Sequence, residues 1–331
     1  MGNKLKLTMA CSPYDRLRGI MDGTCEPEGI DLNFIPLEVE ETFWRQIKHD
    51  EFDVSEISFS MYTANRARGD DKYICIPVFT SRSFRHSCVF INAHKGIEKP
   101  EDLKGKIVGV PEYQMTAALW IRGIFEDEYG IKPSDLIWRQ GGEENPGREE
   151  KLKMPPNLGI DLAAIPNDKT LNQMLDNGEI DALFTARTPS SFDKGSPNVK
   201  RLFDDPMKVE GEYYKKTRIF PIMHTICIKR EIYNENPWIA MSLYKALRKS
   251  KDQVIKNMKE TVALPFALPW LVFHAQYTQE VMGEDWWPYG IEPNRNSIEA
   301  LCRYSFNQGL SPKLMTPEDL FAPESFDEFK I

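Results

Sequence analysis

Apolar and polar residues alternate with period two along Lys4–Met9 and again along Ile30–Ile35, the pattern of strands with one buried face. Between them Tyr14–Met21 predicts a short helix. Glu40–Lys48 predicts a longer one, with Phe43, Trp44 and Ile47 at spacings that share a face. Phe52–Val54 reads as a third short strand and Ser55–Arg68 as largely helical. Tyr73–Thr80 and Cys88–Asn92 are apolar runs of strand length. Strands separated by helices imply a parallel sheet with helices on its faces.

A second unit of the same kind begins near Gly96. Lys99–Leu103 is a turn leading into a helix start, Lys106–Val110 a strand, and Glu112–Thr116 opens a helix whose face carries Ala117, Trp120, Ile121, Ile124 and Phe125. Leu136–Arg139 predicts a strand, Gly141–Leu158 a long Gly/Pro/Glu-rich loop and Ile160–Ile165 another strand. Lys169–Asp176 is a helix closed by Asn177-Gly178, and Glu179–Phe184 returns as a strand. Ile219–Ile228 is apolar and reads as the chain crossing back to the first unit. Helices follow at Trp238–Lys259, Phe266–Phe273, Gln276–Met282 and Ser297–Asn307, punctuated by Pro265, Pro269, Pro288 and Pro293.

Two α/β units joined by two crossings, with helices appended, predict the two-lobed periplasmic-binding-protein-like type II architecture. Each lobe is a mainly parallel sheet flanked by helices, with the ligand cleft between lobes. The expected boundaries are residues 1–93 and 222–331 for a discontinuous first lobe and residues 94–221 for the second. In such folds ligands meet the carboxyl ends of strands and the amino ends of helices, where free N–H groups attract anions.

Composition narrows the partners. A chain of 331 residues exceeds one ordinary core, and 41% hydrophobic with 28% charged residues describes a globular protein. A net charge of −8 argues against nucleic acid, for lack of the cations that displace counterions. No apolar run reaches the length of a membrane span. Met1 leads directly into the first strand without an apolar signal region, which predicts a cytoplasmic protein. The six cysteines, Cys11, Cys25, Cys75, Cys88, Cys227 and Cys302, show no CxxC pair and no zinc spacing. Cys75, Cys88 and Cys227 read as buried thiols. Cys11, after the first strand, is the candidate for a nucleophile.

The candidate chemistry begins at Ser81-Arg82-Ser83-Phe84-Arg85-His86-Ser87, which sets two guanidinium groups and an imidazole between two apolar runs. Guanidinium binds carboxylate or phosphate bidentately, and histidine moves protons near neutral pH. The segment predicts a site for a small anion. Arg16 and Arg18 read as solvent-facing, and Trp286-Trp287-Pro288-Tyr289 as core packing or a lid.

Several segments together resemble one family: Tyr14-Asp15-Arg16, Glu28–Leu32, Phe52–Ser58, Ile76–Ser87, Val108–Ala117, Phe220–His224 and Trp287-Pro288-Tyr289-Gly290. The chain is identified as similar to the 4,5-dihydroxyphthalate decarboxylase family, enzymes built on the binding-protein fold. The resemblance implies loss of one carboxylate from a dihydroxylated aromatic diacid, giving protocatechuate and carbon dioxide. On that footing Arg82 and Arg85 are assigned to the carboxylates, Thr116 and its helix N–H groups to the second anionic edge, and Arg187 to closure from the far lobe. His86 and His224 are the proton-transfer candidates with Glu112 as a partner, and Ser58 and Asp15 are assigned to the ring hydroxyls. His224 also reads as a core histidine, and Glu112 as a cap for the helix near Thr116. No cofactor is expected. A divalent metal stays open, with His86, His224, Glu112 and Asp285 as a nitrogen–oxygen set, and so does a homo-oligomer. Two other readings stand beside the enzyme: a solute-binding protein for an aromatic carboxylate or other organic anion, and a thiol enzyme using Cys11.

Overall fold

The computed structural model describes residues 4–147, 155 and 158–326. They fall into two compact units: one within Met1–Arg82, Tyr214–Glu299 and Met315–Ile331, the other within Ser83–Tyr213 and Ala300–Leu314.

The first unit is built on five strands: β1 (Leu5–Cys11), β2 (Ile30–Pro36), β3 (Val54–Ser58), β4 (Tyr73–Arg82) and β11 (Ile222–Lys229). Their order is β2-β1-β3-β11-β4. β1 pairs in parallel with β2 and β3, and β11 runs antiparallel to β3 and β4. Leu7, Met9, Val54, Ile76, Val78, Ile226 and Ile228 form the core on one face with Leu243 and Leu247 of the helix Ile239–Asn257. These are the period-two and helical apolar positions of the sequence.

The second unit holds β5 (Val89–Asn92), β6 (Ile107–Val110), β7 (Ile137–Gln140), β8 (Asp161–Ala164), β9 (Ala182–Phe184) and β10 (Val199–Arg201). The order is β10-β5-β9-β6-β7-β8, with β6, β7, β8 and β9 parallel and β5 antiparallel to β9 and β10. The helix Thr116–Tyr129 is buried along its first ten residues from Thr116 to Phe125.

The unit boundaries differ from the expected ones at both crossings. β5 pairs with β9 and β10, so the chain leaves the first unit at Arg82 rather than near residue 93. Residues 300–314, expected with the first lobe, pack on the helix Thr116–Tyr129. There Tyr304 donates to Asp127 Oδ2 at 2.6 Å, and Gln308 accepts from Arg122 Nε at 2.8 Å. The Tyr304 ring lies so close to Gly123 that an added Cβ would sit 2.3 Å from its Cδ2, so only glycine fits.

Other expectations shift by local chemistry. β3 runs on through Ser58, and the helix begins at Phe59 (Phe59–Ala67). Pro265 and Pro269 break the helix expected at Phe266–Phe273, and a helix forms instead at Leu271–Met282. The helix Pro206–Thr217 and strand β10 lie where none was expected. The long loop from Gly141 is described through Gly147, and its residues 148–154, 156 and 157 lie outside the described residues. Among the described residues no helix is long and apolar enough to cross a membrane.

Candidate active site

In the first unit the carboxyl ends of the parallel strands meet the beginning of the antiparallel strand. β1 delivers Cys11 and the following Ser12 and Tyr14. β3 delivers Glu56 and Ser58, β4 delivers Thr80, and β11 delivers His224. His224 stands opposite Ser58 on β3 and Ser81 on β4. The β11–β4 register shifts on either side of His224, the kind of irregularity that re-aims a side chain at a sheet end.

Glu56 is the centre of the arrangement, fully buried at 0% exposure. Its Oε1 accepts from His224 Nδ1 at 2.8 Å, Tyr14 Oη at 2.9 Å and Thr80 Oγ1 at 2.9 Å. Its Oε2 accepts from the Ser12 backbone N–H at 3.2 Å and the Cys11 thiol at 3.4 Å. Burial alone would push this carboxyl up. The charge and hydrogen bond of His224, with the bonds from Ser12 and Tyr14, outweigh it and hold the group below the usual carboxylate range. Glu56 is therefore an ionised carboxylate in a dry setting, fixed by donors from three segments of chain.

His224 thus has Nδ1 fixed on a carboxylate, which leaves Nε2 to act on a ligand. The edge-on Phe43 ring, 4.9 Å away centroid to centroid, restrains the imidazole, and the side chain keeps 16% exposure. This is an imidazole held in a defined orientation with a route to solvent, and the core-histidine reading does not describe it.

The thiol-enzyme reading fails here. Cys11 is wholly buried, and burial together with the Glu56 charge pushes its thiol well above the ordinary range, whereas a nucleophilic cysteine needs a stabilised thiolate. Burial and Glu56 likewise raise the Tyr14 phenol, which stays a protonated donor.

Arg16, expected to face solvent, does not. Its guanidinium carbon lies 4.0 Å from the Tyr14 ring centroid and 4.4 Å from that of Trp287. Nε donates to the Thr80 carbonyl at 2.6 Å, Nη2 donates to the same oxygen, and Nη1 donates to Asp15 Oδ1 at 3.1 Å. Asp15 is thereby engaged with Arg16, while Arg18 is exposed. Trp286 and Tyr289 are buried, and Trp287 packs against the core of the unit.

Arg82 is bound into its own scaffold through three of its N–H donors, while its Nε is buried without a partner among the described residues. Its Nη1 donates to Asn294 Oδ1 at 2.6 Å and to the Pro288 carbonyl at 3.3 Å, and its Nη2 donates to the Phe220 carbonyl at 2.7 Å. The guanidinium carbon sits 4.5 Å from the Phe220 ring centroid. The residue expected to receive a carboxylate ties the 288–294 turn to the sheet.

The other expected residues belong to the second unit. His86 is 2% exposed, with the rings of Tyr213, Phe203 and Tyr129 at 5.1, 5.2 and 6.5 Å. Its Nδ1 has no hydrogen-bond partner among the described residues, and burial pushes the imidazole down to about 4. It is a neutral histidine in an aromatic cage. Ser87 N–H donates to Glu210 Oε1 at 2.8 Å, and Arg201 Nε donates to the Ser87 carbonyl at 3.1 Å. These anchors come from the helix and strand that sequence reasoning missed. Arg85 is buried, with Nη1 donating to Cys88 Sγ at 3.5 Å. Glu112 and Thr116 are buried, Thr116 as the first residue of its helix, and Arg187 is exposed.

Sequence reasoning named His224 but passed over Glu56, Tyr14 and Arg16 as members of its network. The signal for Glu56 was present: a carboxylate between Ser55 and Ile57 in a strand must be paired if buried. Reading Ser55 onward as largely helical hid that strand position.

Among the described residues no group of three or more His, Cys, Asp or Glu side chains is placed to hold a metal ion. Asp285, one of the expected ligands, accepts from buried Lys251 Nζ with both oxygens at 2.9 Å.

Two mainly parallel sheets, each with an antiparallel strand inserted, are the architecture of periplasmic binding proteins. The fold is similar to that of the periplasmic aliphatic sulphonate binding protein of Escherichia coli (TM-score 0.55, 12% identity, 98% of this chain and 99% of that one). It is also similar to the ligand-binding component of an ABC-type import system from Staphylococcus aureus (TM-score 0.54, 12% identity, 98% and 99%). No protein-family model matches the chain. Sequence relatives define the family more narrowly. The 4,5-dihydroxyphthalate decarboxylase of Comamonas testosteroni is 40% identical over 329 residues, 99% of this chain and 100% of the relative. That of Pseudomonas putida is 42% identical over 215 residues, 64% of this chain and 83% of the relative. The chain belongs to the 4,5-dihydroxyphthalate decarboxylase family.

Proposed function

We propose that this chain decarboxylates a hydroxylated aromatic dicarboxylate such as 4,5-dihydroxyphthalate without oxidation, releasing carbon dioxide and leaving protocatechuate. The relatives' activity supports the reaction class. The Glu56–His224 pair is the observation that carries it, because an anion receptor needs only donors whereas this reaction needs a proton source.

The chemistry is balanced by one proton. The hydroxyl para to the departing carboxylate supplies electrons as its own proton is withdrawn, and the ring carbon bearing that carboxylate takes a proton. The resulting dienone loses carbon dioxide, and the electron pair of the broken bond restores the aromatic ring as a phenoxide. The proton withdrawn from the hydroxyl returns to that oxygen, so that one proton is consumed overall. His224 Nε2 is the proton donor in this reading. Glu56, anionic and buried, stabilises the imidazolium before transfer and fixes its orientation through the 2.8 Å bond to Nδ1. Ser58, beside His224 in the β3–β11 register, is the assigned partner for a ring hydroxyl. His86 has no part in proton transfer here, since a neutral imidazole sealed among aromatic rings has no acid proton to give.

The six cysteines are all free thiols, which fits a cytoplasmic setting with reducing conditions. The electron source is the substrate's own hydroxyl, so the reading predicts that chelation leaves the rate unchanged. The test is incubation with a panel of phthalates and hydroxybenzoates. Carbon dioxide should appear only from acids with a hydroxyl para to a carboxylate. Binding of these acids without release would favour the solute-binding reading.

A further inference from the structure

We propose that Arg16 is the residue of the first unit that receives the carboxylate the substrate keeps, an inference that rests on the decarboxylase reading above. Arginine carries five N–H donors. Three are occupied: two on the Thr80 carbonyl and one on Asp15. Two N–H donors on the Nη atoms remain without a partner among the described residues, and the side chain keeps 15% exposure.

The guanidinium is also pre-set. Tyr14 and Trp287 hold its plane at 4.0 and 4.4 Å, and Trp287 is itself fixed by donating Nε1–H to the Phe79 carbonyl at 2.8 Å. A cation already stripped of rotamer freedom loses little entropy on meeting an anion. Tyr14 connects it to the proton-transfer pair, since the ring that stacks on Arg16 donates its hydroxyl to the Glu56 oxygen that also takes His224. A guanidinium fork and an imidazole set on one buried carboxylate network suit an aromatic ring with adjacent carboxylates, one retained and one lost. Arg82, the cation the sequence favoured, also has three donors occupied, on Asn294, Pro288 and Phe220. But it is buried at 7% exposure with Nε enclosed and unpartnered among the described residues, so it is less open to a ligand than Arg16.

Asp15 tempers the Arg16 charge, which yields a second, opposite handle. Removing the Asp15 charge strengthens the site for an anion, an effect that a purely structural role for Arg16 does not produce.

The experiment is equilibrium binding of unreactive phthalate and benzoate to the full chain and to Arg16→Gln, Arg16→Lys and Asp15→Asn. The wild type is expected to bind phthalate at least about tenfold more tightly than benzoate, as one charge-assisted hydrogen-bonding pair provides. Arg16→Gln should lose about 10- to 100-fold for phthalate and change little for benzoate. Arg16→Lys, which keeps the charge without the fork, should fall between, and serves alone if Arg16→Gln does not fold. Asp15→Asn should tighten phthalate about threefold, the scale of one exposed ion pair. A wild type that binds neither acid overturns the decarboxylase reading and this inference with it. A wild type that prefers phthalate, with arginine variants that keep the full preference, overturns the Arg16 assignment alone.

Discussion

His224 and His86 were equal candidates by residue type, and their surroundings make them opposites. His224 meets a buried carboxylate through Nδ1 and keeps a partly exposed side chain. His86 meets three aromatic rings, has no partner for Nδ1 among the described residues and is driven neutral by burial. Proximity to apolar strands does not decide whether a histidine carries a proton. What decides it is whether the fold supplies a charge of the opposite sign, and in the first unit β3 supplies Glu56.

The largest effect expected from breaking this contrast is at Glu56. Glu56→Ala would leave five donors unpaired in the interior, and thermal unfolding should show a loss on the order of 3 kcal/mol or more together with loss of turnover. Glu56→Gln keeps the volume, and its turnover should fall about 100-fold, because the imidazolium loses its counter-charge.

Acid titration sharpens the other side. His86 is lowered to about 4 in the folded chain from an ordinary 6.5. The unfolded chain therefore binds the extra proton first, and stability falls as pH drops from about 6.5 to about 4. The full window is on the order of 3 kcal/mol. Denaturant unfolding of His86→Phe across that range should show a flatter pH dependence than the wild type. Glu56 acts further down the scale: its folded value lies below the ordinary carboxylate value, so the stability it provides is lost only as pH falls from about 4.5 through that lower value. Ser58→Ala is the mildest change, with a KM raised a few-fold and kcat nearly unchanged if the hydroxyl serves only to hold the ring, about 1 kcal/mol of binding.

The strand alternation of β1 and β2, the amphipathic Val39–His49 helix and the return strand β11 were legible because one-sided burial writes a period into the sequence. Glu56 was not, since Ser55–Arg68 carries residues compatible with both states and only pairing with β1 and β11 fixes the strand. Arg16 was illegible for another reason. Its stacking partners are Tyr14, two residues away, and Trp287 at the far end of the chain, and no local pattern reveals that pairing. The cage of His86 is likewise assembled from Tyr129, Phe203 and Tyr213, two of them in stretches without a clear period.

The most direct measurement is turnover of 4,5-dihydroxyphthalate at saturation by His224→Asn and by His86→Phe, each checked for an intact fold. Loss of about 10²- to 10⁴-fold in the first, against a change of less than about tenfold in the second, is the outcome that separate surroundings predict. Full activity in His224→Asn, or collapse in a folded His86→Phe, would contradict the assignment of the proton to the imidazole that Glu56 holds.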